Sequence, residues 1–249
     1  MRLPVIPCVL LLLIVVPPQV FADDAAARTI IKSAIEHNGG ETRLGKLKLM
    51  TSKIKGSVHI NGVAIPFAGE FVSHGGNQQR ITVTLNADGQ MITFASVLNQ
   101  ESGWRKIGDN VEVMSAEQLA EAKASAYSAH ISTLYPLREK EFQLATFGDR
   151  EVAGRQAVGI TVSREGFRPI NLLFDKENYR LLRTEMTVRD ESTFKEVPEE
   201  STMSDFKEFD GIPHATKITV KRNGELHAEI EVEDFKPSDK VDESLFAKP

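Results

Sequence analysis

Six histidines are the side chains of this 249-residue chain best suited to metal or proton chemistry: His37, His59, His74, His130, His214 and His227. No two stand at an H-x-x-x-H or H-E-x-x-H spacing, which would put two imidazoles on one helix face toward a metal. His227 alternates with Glu225, Glu229, Glu231 and Glu233 in a segment of strand character, so the five share one face. Such a face could hold a cation, but charge at every second strand position more often marks a face turned to water. Ser, His and Asp are all present without a G-x-S-x-G elbow, and no G-x-G-x-x-G or phosphate-loop pattern occurs. The adjacent carboxylates Glu199 and Glu200 belong to no recognisable constellation. No metal, cofactor or catalytic residue is therefore assigned, and a binding protein is expected rather than an enzyme.

The apolar content offers a different chemistry. Thirteen Phe stand against three Tyr and one Trp, and Phe67, Phe71, Phe94, Phe142, Phe174 and Phe206 fall on strand-like segments. In a small closed barrel such residues fill the core. In a curved, unclosed barrel they line a cavity whose mouth a helix must cover. A concave apolar cavity with few polar groups suits a lipid or acyl chain. Each buried methylene is worth roughly 0.8 kcal/mol, so acyl-chain binding needs no polar motif.

The elements that must position these residues are mostly strands. Between Gly154 and Pro249 the pattern predicts strands at Ala157–Ser163, Pro169–Asp175, Tyr179–Arg189, Ser201–Phe209, His214–Arg222 and Glu225–Phe235. Asn223-Gly224 is the clearest turn, because a two-residue type I′ hairpin needs positive φ at both positions. Further strands are predicted at Lys48–Ile60, Val63–Ser73, Asn77–Leu85 and Gln90–Leu98, with short ones at Gly103–Lys106 and Val111–Met114. Phe142, Leu144 and Phe147 lie on or near another. Ile81, Val83 and Leu85 alternate with Arg80, Thr82 and Thr84, the signature of an antiparallel sheet wetted on one side. Two helices interrupt the strands. Asp23–Asn38 places Ile30, Ile31, Ala34 and Ile35 on one face and stops at Gly39-Gly40. Ser115–Ala129 is Ala-rich and opens with a capping box between Ser115 and Gln118. Leu245 and Phe246, near the C-terminus, are expected to tuck against the barrel edge.

Residues 1–22 have the pattern of a secretory signal peptide: Arg2, the apolar run Val9–Val16, the break at Pro17-Pro18, and Val20-Phe21-Ala22 before Asp23. The run is short of the ~20 apolar residues a spanning helix needs. Cleavage after Ala22 would remove Cys8, the one cysteine, and leave residues 23–249 as a single domain with no disulfide and no transmembrane segment. With 41% hydrophobic and 26% charged residues and a net charge of -5, the chain lacks the basic character of a nucleic-acid binder. Oligomeric state leaves no mark in the sequence.

One pattern carries a family resemblance. The stretch Met203-Ser204-Asp205-Phe206-Lys207-Glu208-Phe209-Asp210-Gly211-Ile212-Pro213-His214 leads through Lys217–Val220 and Glu229–Val232 to Asp242-Glu243-Ser244-Leu245-Phe246 and Pro249. Together with the order helix, meander, inserted helix, longer meander, it resembles the outer-membrane lipoprotein-sorting (LolA-like) superfamily. The resemblance implies a mainly β fold, an incomplete antiparallel β-barrel with an N-terminal and an inserted helix covering an apolar cavity. It also implies a periplasmic carrier of lipids or of the acyl chains of lipoproteins. On that reading the expected lining is Phe71, Ile81, Phe94, Trp104, Leu172, Phe174, Leu182 and Ile230, with Ala120 and Ala124 on the covering helix. The alternative is an envelope interaction or sensor module, its barrel filled by its own side chains and its edge offered to an envelope protein partner.

Overall fold

A computed structural model describes residues 24–190, 193 and 195–249. The expected signal segment, residues 1–22, lies outside the described residues, as does Asp23. Thirteen strands form one antiparallel sheet among them. The first six are β1 (Leu49–Ile60), β2 (Val63–His74), β3 (Gln78–Ala87), β4 (Gln90–Asn99), β5 (Ser102–Ile107) and β6 (Asn110–Val113). After helix α3 (Ala116–Ile131) and a 3-10 turn at Tyr135–Arg138 come β7 (Gln143–Val152), β8 (Arg155–Ser163), β9 (Ile170–Asp175) and β10 (Leu181–Arg189). They are followed by β11 (Glu196–Phe209), β12 (Ile212–Arg222) and β13 (Glu225–Ser238). Helices α1 (Asp24–His37) and α2 (Gly40–Leu44) precede the sheet.

The strand order is β6-β5-β4-β3-β2-β1-β13-β12-β11-β10-β9-β8-β7. Two meanders, each built from local hairpins, are joined by a single long-range ladder between β1 and β13, from Leu49↔Ser238 to Val58↔Ala228. The free edges are β6 and β7, which follow one another in the chain. The segment between them forms α3 and the 3-10 turn instead of a closing ladder, so the barrel stays open.

The turns show how local sequence sets this meander. Asn61-Gly62, Asp88-Gly89, Asp210-Gly211 and Asn223-Gly224 all hold positive φ at both residues, which matches the right-handed twist of the strands they join. Curvature comes from two bulges on β13, where Glu233 is the extra residue opposite Lys53 and Ile54 of β1 and His227 the extra residue opposite Val220 and Lys221 of β12. It comes also from Gly69 in β2, where a Cβ would overlap the Thr82 carbonyl of β3. The strands approach too closely there for any side chain.

The sheet buries its two faces differently. Against the concave face of β7–β9, α1 packs Ala27, Ile31, Ala34 and Ile35, and Tyr127 and Ile131 of α3 join them over Phe142, Ile160, Leu172 and Phe174. Arg28 fixes α1 by donating to the Phe142 carbonyl at 3.0 Å, and Asn38 does so by donating to the Tyr179 carbonyl at 2.9 Å. The helix ends where expected, but Gly39 and Gly40, at φ 121 and 76, turn the chain straight into α2, whose Leu44 is buried. Five residues are too few for a helical period to show in sequence. Leu245 and Phe246 pack on the convex face of the β1–β5 arm with Leu49, Val72, Val97 and Trp104, away from the sheet edges where they were expected. Those outward-facing side chains leave an apolar face that the C-terminal turn covers.

Replacing Gly69 by Ala should force β2 and β3 apart and destabilise the protein by about 1–3 kcal/mol, the usual range for overpacking. Urea denaturation of the wild type and G69A measures this.

Candidate functional site: the cavity inside the open barrel

Strand register places a continuous set of side chains on the concave face. One row runs Arg105–Ser96–Ile81–Phe71–Ser52–Phe235 across β5, β4, β3, β2, β1 and β13. A second runs Ile230–Ile218–Met203 across β13, β12 and β11. All nine line one cavity of about 1040 Å³, at the top of the roughly 300–1,000 Å³ range of ligand pockets. Over β7–β9 the concave face is buried at Leu144, Ile160, Val162, Ile170, Leu172 and Phe174, in one cluster with α1 and Tyr127. Around the cavity, Ile54, Phe71, Ile81, Phe94, Met186, Met203, Ile218 and Ile230 all point inward yet stay only half-buried. Their apolar surface faces space that no side chain fills.

Helix α3 forms the opposite wall. Its first turn is fixed by the capping box: Gln118 N–H donates to Ser115 Oγ at 3.3 Å and Ser115 N–H to Gln118 Oε1 at 3.0 Å. The Glu117 carboxyl is held below its ordinary range by its own backbone N–H and by the Ser115 hydroxyl. Gln118, Glu121, Ala122, Ser125, Ser128, Ala129 and Ser132 recur at helical spacing and face the cavity. One ion pair ties α3 to each meander. Lys123 meets Glu101 of the β4–β5 turn at 2.6 Å. Arg168 of the β8–β9 turn meets Glu121 at 2.9 Å and Glu196 of β11 at 2.9 Å. Tyr127 anchors the helix from behind, its ring 4.1 Å from that of Phe167 between centroids. Burial pushes its phenol up to about 12.

The cavity is amphipathic. Leu44, Leu47, Leu134, Ile212 and Pro213 supply an apolar part of its wall. Beside them His214 stacks on Phe235 at 4.0 Å, and burial lowers its pKa, so the ring favours the neutral form. Arg105, Arg189, Arg222, Glu117 and Glu199 supply charge elsewhere on the wall. Arg222 pairs with Glu199 at 2.8 Å, and Arg105 lies 5.1 Å from the centre of the Phe94 ring. A second, smaller depression of about 580 Å³ is bordered by Lys55, Asp205, Lys217, Glu231 and Glu233. Its charges neutralise one another: Lys55 meets Glu233 at 2.7 Å and Lys217 meets Asp205 at 2.6 Å. Glu229, Glu231 and Glu233 are exposed to water.

Of the residues expected to line the cavity, the structure brings Phe71, Ile81, Phe94 and Ile230 together on its wall. It places six elsewhere. Trp104 neighbours Arg105 in β5, and alternation turns it outward onto Phe246 and Val97. Leu172 and Phe174 are sealed in the core under α1 and Tyr127. Leu182 packs in a separate cluster with Val152, Ala157 and Leu173. Ala120 and Ala124 share the helical stripe of Tyr127 and Ile131, three and four residues apart, which faces away from the cavity. The cavity face lies a third of a turn or more away, at Ala122, Ser125 and Ala129, and the position of Tyr127 was the signal that located it.

No family model matches the chain, and no curated protein matches it. Solved structures do. A LolA superfamily protein from Nitrosomonas europaea superposes with a TM-score of 0.59 at 11% identity, covering 89% of this chain and 97% of that one. A domain named for outer-membrane lipoprotein sorting, from Vibrio parahaemolyticus, gives 0.58 at 11% identity over 90% and 97%. A DUF1329 family protein from Desulfovibrio piger gives 0.57 at 12% identity over 89% and 97%. The fold is therefore LolA-like: a mainly β, incomplete antiparallel barrel with an N-terminal helix and an inserted one.

Two substitutions separate wall from core. Phe94→Glu puts a carboxylate into the half-open cavity, where water reaches it, and should cut uptake of an apolar fluorescent probe at least about tenfold while far-UV circular dichroism stays native. Phe174→Glu buries a charge at a position with 0% exposure and should abolish cooperative unfolding, because an unpaired buried charge is among the costliest substitutions.

Proposed function

We propose that the protein is a periplasmic carrier or binding protein for lipids or for the acyl chains of lipoproteins, and not an enzyme. The single observation that carries this reading is the set of inward-facing apolar side chains left half-buried around one large cavity. Apolar surface kept from its own core favours an apolar guest by roughly 25 cal/mol per Å² removed from water. The LolA-like fold and the name of the Vibrio structure, which refers to outer-membrane lipoprotein sorting, support the same class of cargo. The expected signal peptide at residues 1–22 supports export, with residues 23–249 working as one domain in the periplasm. No helix among the described residues is long and apolar enough to cross a membrane.

A second reading, an envelope interaction module, is favoured by one observation. Ile60, Val63, Met91, Ile92, Ile107 and Leu226 are exposed and sit at or beside the tips of the β1–β2, β3–β4, β5–β6 and β12–β13 hairpins, which share one end of the sheet. Apolar tips of that kind suit contact with another surface, and a carrier needs such contact to exchange its cargo.

Transfer of a fluorescent acyl lipid from donor to acceptor vesicles tests the carrier. The rate should rise in proportion to the concentration of the 23–249 protein. A rate equal to the protein-free control, alongside stoichiometric capture of an envelope protein, would leave the interaction module as the function.

A further inference from the structure

The apolar wall does not stop where the cavity does. Strand alternation carries the inward-facing row of β2 from Phe71 through Gly69 to Phe67, Ile65 and Val63, and that of β1 from Ile54 through Gly56 to Val58 and Ile60. The five side chains beyond the glycines are all apolar, and none belongs to the cavity wall or to a buried cluster. Val58, Ile65 and Phe67 are half-buried, while Ile60 and Val63 are 48% and 62% exposed. The ladder with β13 ends at Val58↔Ala228, and the ladder with β3 ends at Phe67↔Leu85, next to Pro66, which has no N–H to extend it. Past those points β1 and β2 pair only with each other, so the hairpin tip is a finger free of both neighbouring strands. From Gly56 to Gly69 it contains no Asp, Glu, Lys or Arg, whereas Asp88, Asp109 and Glu225 stand at the β3–β4, β5–β6 and β12–β13 tips. His59, on the opposite face, is its one ionisable side chain.

We infer that the β1–β2 finger docks on a lipid surface, its apolar face entering the boundary between headgroups and acyl chains, and that a guest's chain passes along that face between bilayer and cavity. This rests on the carrier reading above and names the surface from which the cargo comes. The chemistry of the face favours lipid over a protein partner. Val58, Ile60, Val63, Ile65 and Phe67 offer no hydrogen bond, whereas a protein interface of ordinary size carries several and has a polar rim. A bilayer boundary requires only apolar area free of charge. The nearest charges along the hairpin, Lys55 and Glu70, are set back at its base and alternate onto the outer face. The inward face is also continuous with the cavity, since the positions from Ile60 to Ile54 and from Val63 to Phe71 carry no polar side chain. Backbone groups on the outer edges of the finger have no strand to pair with and must reach water or headgroups. The finger therefore rests at the boundary and does not enter the hydrocarbon core.

Flotation of the protein with vesicles of zwitterionic phosphatidylcholine at neutral pH tests the docking, and uptake of a fluorescent fatty acid without vesicles tests the cavity separately. The protein should float with the vesicles. The bound fraction should change less than about twofold when anionic lipid is added or salt is raised to about 0.5 M, because the finger presents no charge to be screened. The double substitution Ile60→Asp, Val63→Asp, at two exposed positions, should cut vesicle binding at least about tenfold and leave fatty-acid uptake within about twofold of wild type. In Ile60→Trp, bromine on the upper acyl chain should quench the new indole, while Trp104, packed with Phe246 on the convex face, stays unquenched in the wild type. Fatty-acid uptake without flotation would overturn the lipid-docking surface and leave the carrier reading standing. Flotation that needs anionic lipid and is lost in salt would overturn it too, as would flotation that the double variant keeps. A dimer that the double variant dissolves, in place of vesicle binding, would make a second copy of the chain the occupant. Flotation without fatty-acid uptake would remove the carrier reading, and the passage of cargo along the finger with it.

Discussion

A sheet that curls through thirteen strands without closing has one concave face to cover, and the helices available are too few and too slender to fill it. This constraint governs the rest of the structure. The pairing of β1 with β13 bends two meanders into one wall, while the segment between β6 and β7 forms α3 in place of the ladder that would close the barrel. Against β7–β9 the covering is tight, because α1 brings isoleucines and alanines and α3 brings Tyr127. Against the remaining strands α3 presents serines and alanines, which reach less far. The cavity is the difference between the two.

The division follows from side-chain size along a single helix. Large residues on one stripe of α3, Tyr127 and Ile131, weld it to the packed arm of the sheet. Small ones on the adjacent stripe hold it at a distance from the other. The ion pairs Lys123–Glu101 and Arg168–Glu121 then tether the helix to both meanders. Such pairs lie partly exposed and contribute little to stability, so the helix is positioned by charge and fixed by Tyr127. On the proposed carrier reading, an apolar wall, a short polar helix face and charge on part of the wall would select a guest by shape and length more than by polar contacts.

Much of this was legible in the sequence, because hairpin turns and alternation are local. Asn223-Gly224 and the Ile81–Leu85 alternation predicted β12 and β3 within two residues and the start of β13, which runs three residues past the expected Phe235, and Ser115 and Gln118 marked the start of α3. The phase of each strand against a helix was not legible. Phe71 and Phe94 face the cavity while Phe174 is core, yet all three stand in similar apolar stretches, and only the position of α1 over β9 separates them. Trp104 and Arg105 show the same limit one residue apart: the aromatic faces outward under the C-terminal turn and the guanidinium inward. Composition favours the opposite assignment, and register decides it.

Native mass spectrometry of the protein, purified from the cell envelope without detergent and compared with a solvent-extracted sample, tests the central claim that the cavity is a site for an apolar guest. The account predicts a bound mass in the lipid range that is lost on extraction and recovered in the solvent. A clean unliganded mass that stays unchanged after incubation with acyl lipids would contradict it.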